Sequence, residues 1–124
     1  MTLFLQDLRD YLVNKGLATT GKAFFDYYPD DNTDFITVAC YDNDGLTDER
    51  SIQIMVRDTT AVKCLNSLNA IYKNLFGDYQ GRENVIEINS TPCYFTPLSK
   101  PAYLKNLNNL FYYVFNMKVT GIKE

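Results

Sequence analysis

Between Arg50 and Gly77 the spacing of apolar residues changes from every second position to every third or fourth, and the change falls at Asp58-Thr59. Ile52, Ile54 and Val56 alternate with Gln53, Met55 and Arg57, which predicts a strand with one apolar face and one face that is wet or a contact surface. Ala61, Cys64, Leu65, Leu68, Ile71, Tyr72 and Leu75 then recur at helical steps, with Lys63, Asn66, Asn69, Lys73 and Asn74 between them. A strand that runs directly into an amphipathic helix must find a sheet to lie in and a layer for the helix to cover.

The flanking segments supply those partners. Thr2 can cap a helix whose inner stripe is Leu5, Leu8 and Leu12, and Gly16 supplies a left-handed stop. Ala23-Phe-Phe-Asp-Tyr-Tyr28 reads as a strand ended by Pro29, and Phe35-Ile-Thr-Val-Ala-Cys-Tyr41 as the next, the two pairing antiparallel across the turn between them. Asp42-Asn-Asp-Gly45 is turn chemistry, Gly77 to Gly81 closes the second helix, and Asn84-Val-Ile-Glu-Ile-Asn89 is a weaker strand. Pro92, Pro97 and Pro101 argue against ladder pairing and predict an extended arm or loop, after which Leu110 to Val119 is a long strand. The order α-β-β-β-α-β-β predicts an α+β fold: a mostly antiparallel sheet of about five strands, with two helices packed on one face.

A length of 124 residues fits one domain, 1–124, with a hydrophobic core that needs no staple. The net charge of −3 and the scattering of twelve basic residues lack the footprint of a sequence-specific nucleic-acid binder. Cys40, Cys64 and Cys93 stand at wide spacings among apolar neighbours and are expected to be buried free thiols. Charges interrupt the apolar pattern of the first residues, so no signal peptide is expected, and no run reaches the roughly 18 apolar residues of a spanning helix. A protein without a membrane partner, made in the cytoplasm, is the expectation.

Catalytic chemistry has little to work with. Histidine is absent, which removes the commonest general base and metal ligand. With Gly45 as the glycine of a calcium loop, the first ligand position falls on Cys40 and the twelfth on Ser51, so Asp42, Asp44, Asp48 and Glu49 read as a solvated turn. Pro29-Asp30 could begin a metal-nuclease motif, but the acid that follows on a strand, Glu87, has Ile88 and Asn89 after it and no lysine. No C-x-x-C pair or glycine-rich phosphate loop occurs. No enzyme activity, cofactor or metal is expected. The compositional excess is aromatic, with ten tyrosines and eight phenylalanines. Runs such as Phe111-Tyr-Tyr-Val-Phe115 put bulk on both faces of a strand, and subunit contacts are the natural place for it.

The order of these segments resembles a family of small phage proteins, the minor capsid or tail terminator proteins. The resemblance is carried by Leu5-Gln-Asp-Leu-Arg-Asp-Tyr-Leu12, Phe25-Asp-Tyr-Tyr-Pro-Asp-Asp-Asn32, Phe35-Ile-Thr-Val38, Asp42-Asn-Asp-Gly45, Ile52-Gln-Ile-Met-Val-Arg-Asp58 and Leu75-Phe-Gly77, in that order. It covers roughly two thirds of the chain, and its weight lies in the order of several weak motifs. It implies a homo-oligomeric ring, usually of six subunits, at the tail-neck junction of the virion. Such a ring caps the tail tube and joins it to the head, with the tube protein and the neck or head completion proteins as partners. A small non-enzymatic binding module, monomeric or dimeric, is the alternative.

In the last strand Phe111, Tyr113, Phe115, Met117 and Val119 are expected to point under the helices, and Leu110, Tyr112 and Val114 away from them. Met55, Arg57, Tyr112 and Val114 are therefore expected in or beside the subunit contact, with Arg57 free to pair with a neighbour's carboxylate. On this reading charge reversal at Arg57 blocks the ring and leaves the monomer folded.

Overall fold

The change of period at Asp58-Thr59 is a strand passing into a helix. The computed structural model describes residues 2–31, 33–42, 50–77, 84–88 and 90–120. Its elements are α1 (Thr2–Asn14), β1 (Ala23–Phe25), β2 (Phe35–Asp42), β3 (Arg50–Asp58), α2 (Ala61–Phe76), β4 (Asn84–Ile88), β5 (Thr91–Pro97), β6 (Ala102–Leu107) and β7 (Leu110–Thr120). Thr60 keeps extended dihedrals and accepts the Lys63 amide on its hydroxyl at 3.2 Å, which caps α2. At the far end Gly77 has φ +55° and its amide reaches the Lys73 carbonyl at 2.7 Å. In α1 the stop at Gly16 is a Schellman motif: Gly16 N–H bonds the Val13 carbonyl and Leu17 N–H the Leu12 carbonyl.

Both helices lie on one face of the sheet. Leu5, Leu8 and Leu12 of α1 and Cys64, Leu68, Ile71 and Leu75 of α2 share a single core with Ile52, Ile54 and Val56 of β3. Phe115, Met117 and Val119 of β7 complete it, all fully buried. Each such aliphatic side chain contributes about 1.5–3 kcal/mol through the apolar area it removes from water. The two faces of β7 are assigned as its alternation predicts. Phe111 and Tyr113 are half-buried against the main core, while Leu110 and Tyr112 form a smaller cluster on the other face with Phe35 and Met55.

The sheet is larger and less regular than the expected five strands. It is mixed and seven-stranded in the order β1-β2-β3-β7-β5-β4, with β6 also on β7. The expected antiparallel pairing of the first two strands is wrong: Ala23 to Phe25 run parallel to Ile36 to Val38. Asp26, at φ +50°, turns the chain out of β1 after three residues, and the connection crosses the helix-free face before re-entering as β2. The rest is antiparallel, and β3 pairs β7 from Arg50↔Val119 to Asp58↔Phe111.

The proline-rich stretch is also not the unpaired arm expected. Thr91–Pro97 is a strand between β4 and β7, holding both Pro92 and Pro97. A proline removes one donor, and that donor would face only one neighbour. Pro92 is paired with β4 alone, beyond the Tyr94↔Thr120 end of the β7 ladder, and Pro97 ends the strand. Past it the chain bulges over Asn116, whose carbonyl accepts the Leu98 and Ser99 amides at 2.8 and 3.2 Å. The Asn116 amide in turn donates to Ser99 Oγ at 2.9 Å, a hydroxyl standing in for a ladder carbonyl. β6 then resumes the line of β5 along the same edge of β7 and returns through Asn108-Asn109, both at positive φ.

Of the cysteines, Cys64 and Cys93 are buried and Cys40 is half-buried, none of them in a disulfide. The acidic turn at 43–49 and the segment after Gly77, 78–83, lie outside the described residues.

Candidate assembly surface

On the helix-free face the four residues expected at a contact come together as two cross-strand pairs, Met55↔Val114 and Arg57↔Tyr112. They are more covered than a bare contact surface would be. Met55, Arg57 and Tyr112 are buried and Val114 half-buried; the connection between β1 and β2 lies over Arg57 and beside Met55 and Tyr112, and β6 pairs alongside Val114. Arg57 ties that connection down. Its Nε donates to the Thr33 carbonyl at 2.8 Å, Nη1 to the Pro29 carbonyl at 3.2 Å and the Tyr112 hydroxyl oxygen at 3.4 Å, and Nη2 to Asp31 Oδ1 at 3.3 Å. The guanidinium also lies 4.3 Å from the centre of the Phe35 ring.

A cation that is only 5% exposed carries a desolvation cost of several kcal/mol, and these carbonyls, the carboxylate and the rings are what offset it. The expected pairing of Arg57 with a neighbour's carboxylate is thus corrected, since its own chain supplies the partner, Asp31. That aspartate is itself a turn residue, accepting the Thr33 hydroxyl at 2.6 Å. The Thr33 hydroxyl, then its amide, and more weakly Arg57 hold the Asp31 carboxyl below the usual range. Pro29-Asp30 is accordingly part of a strap across the sheet.

Between strap and sheet remains a groove of ≈ 380 Å³, lined by Tyr28, Asp30, Met55, Arg57, Lys105 and Tyr112 among others. Lys105 Nζ approaches within 4.7 Å of the Tyr112 ring centre, so β6 forms the far wall. This strand was missed in the sequence. All six of its residues are exposed, and Tyr103, Leu104 and Leu107 are 57%, 44% and 49% so. With both faces wet it shows no alternation, and the signal that could have found it is Asn108-Asn109. Asparagine tolerates the left-handed conformation that a two-residue hairpin needs twice.

Among the described residues no three acids or cysteines converge on a point where a metal could sit. No described helix is long and apolar enough to cross a membrane. What the surface offers is apolar area beside a groove: Tyr27 and Tyr28 on the strap, Tyr103, Leu104 and Leu107 on β6, and the cross-strand pair Val85 and Tyr94 at the other end of the sheet. Residues 11–121, from the last turns of α1 to the end of β7, match the family model described as bacteriophage tail terminator protein.

The chain belongs to the bacteriophage tail terminator family.

No curated protein matches it. Membership in a structural family of phage particles gives the exposed apolar surface its context: such proteins act by contacts with other virion components. In this tail terminator relative exposed tyrosines and leucines stand both on the strap, at Tyr27 and Tyr28, and on the paired strand β6, at Tyr103, Leu104 and Leu107.

Proposed function

We propose that this protein caps the growing tail tube as a ring of identical subunits, six in number, and forms the surface to which the filled head attaches. The observation that carries the reading is the exposed apolar area of the strap and of β6 on either side of one groove, in a chain of the tail terminator family. Contiguous exposed aromatics and leucines of this kind mark protein contacts. The work is geometric. Each subunit presents one surface to its neighbours in the ring, one to the last tube ring and one to the neck.

The patch of Met55, Arg57, Tyr112 and Val114 lies in or beside the subunit contact. Arg57 serves it from beneath, by fixing the strap whose Tyr27 and Tyr28 face outward. The tube protein and the neck or head completion proteins are the remaining partners, and the site of action is the tail-neck junction of a virion assembled in the host cytoplasm. No bond is made or broken in this role. Deleting the gene from the phage tests it: the expected particles are heads without tails, accompanied by tubes of uncontrolled length. Normal tails on those particles contradict it.

A further inference from the structure

The charges of this chain are segregated along it. From Ala23 to Glu49 stand eight carboxylates and no lysine or arginine, whereas from Ile88 to Lys123 stand four lysines and no carboxylate. In the fold the described part of the first segment supplies β1, the strap and β2, with Asp26, Asp30, Asp31 and Asp34, and that of the second supplies β5, β6 and β7, with Lys100, Lys105 and Lys118. Since the sheet order is β1-β2-β3-β7, with β6 beyond β7, β1 and β2 lie on one side of the β3–β7 pair and β5 and β6 on the other, while the strap reaches over β3 so that Asp30 and Lys105 line the two walls of one groove.

Each side also carries exposed apolar groups. On the acidic side Tyr27 and Tyr28 lie between Asp26 and Asp30, all four exposed. On the basic side Tyr103, Leu104 and Leu107 surround Lys105, and among the described residues β6 pairs with β7 alone, so its outer backbone edge is open. An open, apolar edge strand with a single charge is a surface that proteins normally cover. Like edges cannot cover one another well, since lysine would meet lysine or aspartate meet aspartate. The strap and the β6 edge match in charge and in apolar character.

We infer that the β6 edge of one copy docks, head to tail, on the strap of the next copy around Tyr27, Tyr28 and Asp30. This rests on the proposed ring and gives it a polarity: the contact is heterologous, each subunit using two different patches, which is the kind of contact that closes into rings. Lys105 and Asp30 set the electrostatic match.

Two single variants test it, Lys105→Glu and Asp30→Lys, both at exposed positions. Each alone should weaken self-association at least about tenfold, measured by sedimentation velocity with and without tail tubes, while thermal melts stay at the wild-type value. An equimolar mixture of the two should assemble again. In a ring that alternates them, every contact is either the natural Lys105–Asp30 match or its exact swap. Single variants that assemble like the wild type overturn the contact. So does a mixture that stays dissociated while the double variant on one chain assembles, because the two side chains then meet across the groove of a single copy. A wild-type chain that never self-associates, even on tubes, overturns the ring and this contact together; rings indifferent to both reversals overturn the contact alone.

Discussion

Arg57 and Tyr112 face each other across the β3–β7 ladder, with Arg57 Nη1 3.4 Å from the Tyr112 hydroxyl oxygen. The same guanidinium reaches the carbonyls of Pro29 and Thr33, so one strand residue holds a segment more than twenty positions earlier against the sheet. A charged residue on an alternating strand normally signals a wet face. Here it is the fastener of a second, smaller core formed by Phe35, Met55, Leu110 and Tyr112.

Replacing Arg57 by alanine should therefore lower stability by about 1–3 kcal/mol, the cost of leaving the buried Pro29 carbonyl without its donor. Arg57→Lys should fall in between, keeping the charge but not the forked geometry. Urea unfolding of the isolated chain measures both. Arg57→Glu, expected from sequence alone to spare the monomer, should instead cost more than the alanine change, because it sets a second carboxylate beside Asp31.

The two faces of β7 should respond unequally. Phe115→Asp places an unpaired charge in the fully buried core beneath α2 and should leave no folded protein. Tyr112→Asp, at the rim of the groove, should give a folded but weakened monomer. Circular dichroism at increasing temperature separates the outcomes, and the reverse order would mean the faces are exchanged.

These contrasts also mark what could be read in the sequence. The β3–α2 junction was legible because a change of period is a local signal, and β7 because five inward residues alternate without a break. The direction of β1 was not, since three residues of strand say nothing about whether the partner runs with or against them. Pro92 and Pro97 misled because a proline forbids a donor on one side only. β6 carried no pattern at all, being wet on both faces. Arg57 was singled out as a contact residue with a partner on a neighbour, whereas its partners in this chain lie in a loop whose path over the sheet depends on the parallel pairing.

The Asn108-Asn109 turn gives a separate handle on β6. Asn109→Val forces a β-branched residue to φ +62° and should cost about 1–2 kcal/mol, while Asn109→Gly should be neutral or mildly stabilising. Hydrogen exchange of the β6 amides should rise in the valine variant before any change in β3.

Burial, with a smaller contribution from Asp58, pushes the Cys64 thiol up to about 11. The thiol donates to the Phe111 carbonyl at 3.2 Å and should resist alkylation at pH 8 in the folded protein. The unfolded chain ionises this thiol first, so its contribution is intact below the ordinary cysteine range and is lost as pH rises toward 11. Cys64→Ser should flatten that alkaline limb. At the other extreme Asp31, held low by Thr33 and Arg57, favours the fold above the ordinary carboxylate range and loses that contribution as pH falls through its lowered value. Asp31→Asn should remove that part of the acid limb, seen in exchange of the Thr33 amide.

The proposed role of this chain is to stop a tail tube. Purified protein added to polymerising tail tubes, followed by electron microscopy of tube lengths, tests it most directly. A capping role predicts that elongation halts on addition and that each stopped end carries one ring; tubes that keep lengthening at the control rate, with bare ends, contradict it.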